Sequence, residues 1–174
     1  MILKGFKEKS IKKQLSSILK NRQLKFSDKK IESVGIILSA DEVNDFESLK
    51  TLSTRLNVLP NKLKIIAYTS SKKEMTYSWD VCFNPNDFTW NGRVKNAELQ
   101  TFINTEFDLL ISYYSTDVTT LKYITAASKS VFKTSIFQND KRLNDLIINT
   151  DLQNVEAFKN ELYKYLTVLN KIKE

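Results

Sequence analysis

Apolar positions in this chain follow two alternating patterns: short continuous runs, and longer stretches where they recur every three or four residues. The runs are 33–38, 63–68, 79–83, 107–113, 131–137 and 143–148. A nearly unbroken apolar run of this length suits a strand covered on both faces, as in a parallel sheet. The run at 79–83 is the weakest, and 143–148 reads as an edge strand for which an antiparallel setting is open. Helical spacing appears in Val43, Phe46, Leu49, Leu52 and Leu56, and again in Leu99, Phe102 and Ile103. It returns in Val118, Leu121, Tyr123, Ile124 and Ala127, and in Val155, Phe158, Leu162, Tyr165, Leu166 and Leu169. These predict helices near 43–56, 96–105, 117–130 and 155–171. Ser39-Ala40-Asp41-Glu42 resembles a capping box opening the first of them.

Strands alternating with helices predict a three-layer, Rossmann-like α/β fold. The sheet is mainly parallel, of five or six strands, with helices on both faces. Ahead of it, Leu3, Phe6, Ile11, Leu15, Ile18 and Leu19 mark an amphipathic helix over 2–20, followed by a polar connector to Lys30. The chain thus divides into a detached basic arm, residues 1–30, and an α/β domain, residues 31–174.

Charge sharpens that division. The arm holds ten basic and two acidic side chains, a net +8, whereas the body holds 17 basic and 18 acidic ones, a net −1. An arm that carries all the excess charge is matched to something acidic, or it is a solvated face. The candidate contacts are Lys4, Lys7, Lys12, Lys13, Lys20, Arg22, Lys25, Lys29 and Lys30.

There is no histidine, which removes Ser-His-Asp, Cys-His and His-ligated zinc chemistry. The single cysteine, Cys82, sits in an apolar run with no activating neighbour and reads as an inert thiol. The three glycines are Gly5, Gly35 and Gly92, and none follows a strand to open a helix. A phosphate-cradling glycine loop is therefore not expected. No cofactor or metal is expected, and Asp41 and Asp117 at the strand ends read first as helix caps. Neither a signal peptide nor an apolar stretch of membrane-spanning length is visible, which points to the cytoplasm.

Of the aromatics, Trp79 and Phe83 read as core. Trp90 stands in a turn with Arg93 and Lys95 close behind it, and is the better candidate for an exposed binding residue.

The motifs Lys4-Gly5-Phe6, Trp79-Asp80, Asn86-Asp87-Phe88, Trp90 with Gly92, Phe107-Asp108-Leu109-Leu110-Ile111 and Ala126-Ala127-Ser128-Lys129 before Phe132-Lys133 give the chain a family likeness. Their layout resembles a family of small Bacteroidota proteins with a domain of unknown function, over nearly the whole length. The resemblance implies no activity and no site residues.

The expected function is a non-enzymatic binding module whose basic arm docks on RNA or a ribonucleoprotein. One alternative is a protein-interaction or assembly factor, membrane-peripheral in one variant, using the arm's apolar stripe. A second is an enzyme with a small-molecule site at the carboxyl ends of the strands.

Overall fold

A computed structural model describes residues 2–25, 27–43, 45–71, 81–137 and 140–173, with side chains from Gly5 onward. Trp79 and Asp80 lie outside the described residues, and so does the side chain of Lys4.

Six parallel strands form one sheet: β1 Val34–Ser39, β2 Leu63–Tyr68, β3 Val81–Phe83, β4 Leu109–Tyr113, β5 Phe132–Ile136 and β6 Leu146–Ile148. Their spatial order is β3-β2-β1-β4-β5-β6. This is the doubly wound arrangement, in which the direction of winding reverses between β1 and β4. Every pairing is parallel, including β5 with β6, so the antiparallel option for the last strand is not taken.

The period-two alternation of each strand feeds two cores. Ile36, Leu38, Leu109 and Ile111 face one side, with α2 Glu47–Lys50, α3 Leu52–Arg55 and α6 Val155–Val168. Ile37, Ile66 and Leu110 face the other, with α4 Ala97–Asn104 and α5 Thr119–Ala127.

The helix expected over 43–56 is two short pieces. Val43, Phe46, Leu49, Leu52 and Leu56 are all buried as their spacing requires. However, Thr51 Oγ1 donates to the Ser48 carbonyl at 2.7 Å and Ser53 Oγ to that of Lys50 at 2.9 Å. Hydroxyls bonded to nearby carbonyls compete with the helical ladder and interrupt it. The capping box at 39–42 does not form either: Glu42 turns its carboxylate to Ser115 instead.

The N-terminal helix, α1 Ile2–Lys20, is docked rather than detached. Ile11, Leu15 and Leu19 are buried, with Leu15 and Leu19 against Ala126 of α5 and against Leu143. The connector is fastened too. Arg22 donates to the Arg142 carbonyl at 2.7 Å and pairs with Asp145. Lys25 reaches the Lys129 carbonyl at 3.0 Å, and Lys30 reaches Asn170 Oδ1 at 2.6 Å.

Candidate nucleic-acid interface

The turn after the Pro85–Asp87 3₁₀ segment is the key local structure. The Thr89 amide donates to the Arg93 carbonyl at 2.8 Å and the Gly92 amide to that of Thr89 at 3.0 Å, closed by an antiparallel bridge between Phe88 and Val94. Gly92 adopts φ +79°, a conformation side chains disfavour. A Cβ there would also stand 2.8 Å from Gln14 Nε2 and 3.0 Å from Ile11 Cγ1. The missing side chain lets α1 lie directly on the turn. Ser10 Oγ and Gln14 Nε2 then both donate to the Asn91 carbonyl, at 2.6 and 3.0 Å, and Lys7 Nζ donates to Pro85 O at 2.8 Å.

This junction brings Trp90 onto the helix. Phe6, Lys9, Ser10 and Lys13 of α1 line a shallow basin of about 480 Å³ with Trp90 and Asn91. Phe6 is 59% and Trp90 66% exposed. Phe6, expected in the apolar stripe, therefore lies outside the core. Lys9, Lys13 and Lys20 make no hydrogen bond or ion pair to any described residue, and the same holds for the side chains of Arg93 and Lys95 beside Trp90.

The other expected cations whose side chains are described are engaged within the chain. Lys12 pairs with Glu8 at 3.0 Å, with both groups exposed. Lys29 pairs with Asp108 at 2.9 Å. Burial alone would raise the Asp108 carboxyl, but hydrogen bonds from Lys29, Ser33 and the Glu32 amide outweigh it and hold the group below its ordinary range. The Lys12 pair lies within α1, whereas Lys29, with Lys7, Arg22, Lys25 and Lys30, fixes the arm to the domain. Lys9 and Phe6 are the site residues that sequence patterning missed. Phe6 carried a helical spacing that implied burial, and Lys9 was one lysine among many.

The strand-end carboxylates have structural partners. Asp41 accepts from Thr69 Oγ1 at 3.0 Å and the Ser70 amide at 2.8 Å, so it ties two loops and caps no helix. Asp117 pairs with Lys122, and α5 has Val118 at its N-cap with no side-chain cap. Tyr113 donates to the Leu152 carbonyl at 2.7 Å, and burial pushes its phenol up to about 12. Cys82 is half-buried, and burial pushes its thiol up. Among the described residues no cluster of three His, Cys, Asp or Glu side chains is placed to hold a metal. No described helix is long and apolar enough to cross a membrane.

Fold and surface together define a doubly wound, Rossmann-like α/β domain that carries an aromatic and cationic basin at its N-terminal helix. The chain belongs to a family of unknown function, DUF6913, whose model matches residues 7–169. The match takes in most of α1 along with the sheet. No curated protein and no solved structure matches the chain.

Proposed function

We propose that this protein is a cytoplasmic, non-enzymatic binding module that docks on RNA, alone or within a ribonucleoprotein, through the basin formed by α1 and the Trp90 turn. The observation that carries the reading is the convergence of two exposed aromatic rings with unpaired cations on a rigid junction. Unstacked bases gain about 1–3 kcal/mol each from stacking on such rings, whatever their sequence. Lys9, Lys13, Arg93 and Lys95 supply phosphate contacts, and Lys20 extends the cationic track along the helix.

Two features weigh against the alternatives. Ile11, Leu15 and Leu19 of the apolar stripe are covered by the domain, so that part of α1 is not offered to an assembly partner. The carboxylates at the strand ends are held by loop hydrogen bonds, which argues against acid–base work there.

The test is fluorescence anisotropy of a labelled single-stranded RNA with the full chain across a salt series. Point variants serve better than deletion of the arm, which would strip the cover from α5. Trp90→Ala should weaken binding by about 1–3 kcal/mol. Lys9→Ala combined with Lys13→Ala should reduce the log–log salt slope by about 0.7 per lysine. Binding that ignores both salt and Trp90 would sink the reading.

A further inference from the structure

A second cleft, of about 320 Å³, opens on the opposite flank of α1 at the carboxyl end of the sheet. Its floor is the first turn of α5, a helix of nine residues. The N-cap is Val118, which has no side-chain acceptor, and no described group accepts the amides of Thr119, Thr120 and Leu121. Such a turn presents three donors and the positive end of the helix dipole.

Two further donors line the same cleft. Thr120 is 8% and Tyr68 5% exposed, and neither hydroxyl is hydrogen-bonded to a described residue. The side chains are packed, yet neither hydroxyl oxygen is shut off from solvent, so each offers a donor at the cleft wall. Burial, with Asp41 nearby, raises the Tyr68 phenol and keeps it a donor. Lys7 stands on the wall. Of the carboxylates nearby, Glu8 and Asp117 in the lining are each paired with a lysine, Lys12 and Lys122, and Asp41 is held by Thr69 and Ser70.

We infer that this cleft binds a phosphate monoester, its oxygens taking the α5 amides and the hydroxyls of Tyr68 and Thr120. The site is separate from the Trp90 basin and does not depend on the RNA reading. The group is carried either by a small phosphorylated molecule or by the 5′ end of an RNA.

The experiment is calorimetric titration of the full chain with four probes at fixed ionic strength. These are inorganic phosphate, a nucleoside 5′-monophosphate, and one short oligoribonucleotide with a 5′-phosphate or a 5′-hydroxyl. Tyr68→Phe and Thr120→Val should each weaken phosphate-bearing probes tenfold or more, leave the melting temperature without phosphate unchanged, and leave the 5′-hydroxyl oligonucleotide unaffected. Thr120→Ser should restore binding. Equal response of the small probes and the 5′-phosphorylated strand identifies a small-molecule site. A response confined to the 5′-phosphorylated strand identifies an RNA end. The inference is overturned if no phosphate-bearing probe binds, or if both variants bind as the parent does. Trp90→Ala should move only the oligonucleotides, which separates failure here from failure of the basin.

Discussion

Glu42 accepts two hydrogen bonds from Ser115, from its hydroxyl at 2.6 Å and its amide at 3.2 Å. The two residues follow β1 and β4, the strands between which the winding reverses, so the contact staples the crevice where doubly wound folds usually hold ligands. Glu42→Ala should lower unfolding free energy by about 0.5–1.5 kcal/mol in urea titration, because an exposed donor pair loses its charged acceptor and turns to water. RNA affinity should not change. A loss of RNA binding at unchanged stability would move the interface to the crevice.

Gly92→Ala tests the junction between α1 and the Trp90 turn. The substitution meets both a positive φ and two contacts inside 3.1 Å, from Gln14 and Ile11. It should destabilise by about 1–3 kcal/mol and weaken RNA binding in parallel, because Trp90 is displaced from α1. Equilibrium unfolding and anisotropy on one preparation check both effects.

Asp108 links the connector to the start of β4 and titrates below its ordinary value of 3.8. A carboxyl depressed on folding contributes stability that is complete above its unfolded pKa and is lost as pH falls through the folded one. The parent's advantage over Asp108→Asn should therefore hold near neutrality and shrink below about pH 4. Unfolding curves at stepped pH will show it, and a difference constant down to pH 2 would refute it.

Lys133 runs the other way. Its ammonium donates to the carbonyls of Thr125 and Ala126 at 2.8 and 3.0 Å, closing the end of α5. Burial first, then the nearby Arg22, push it down to about 8 from 10.5. Between those values the unfolded chain holds the proton and the folded one has released it, so stability from this group rises with pH across that window. The parent's stability relative to Lys133→Met should climb from pH 8 to 10.5 and level off outside. A flat difference would mean the ammonium is not perturbed.

Much of the fold was readable because strand burial and helical spacing are local. Runs such as Leu109–Tyr113, buried at every position, announce a two-sided strand without knowledge of their neighbours. What was not readable depends on distant partners. Glu42 has the spacing of a capping residue, but Ser115, 73 positions away, takes its carboxylate. Phe6 shares the rhythm of Ile11 and Leu15, yet the domain does not extend far enough to cover it. Trp90 was legible as exposed because of its turn. Its meeting with Lys9 and Lys13 rests on Gly92 and on contacts across about 80 residues, such as Ser10 to Asn91.

The seating of α1 on α5 also sets an order of events during synthesis. Leu15 and Leu19 leave the ribosome about 100 residues before Ala126, the surface that covers them. At 5–20 residues per second that interval lasts roughly 5–20 s, during which Leu15 and Leu19 lack the surface of α5 that covers them. The seating of α1 can be completed only after α5 has been made, whereas its hydrogen bonds to the turn at 85–92 have their partners about 35 residues earlier.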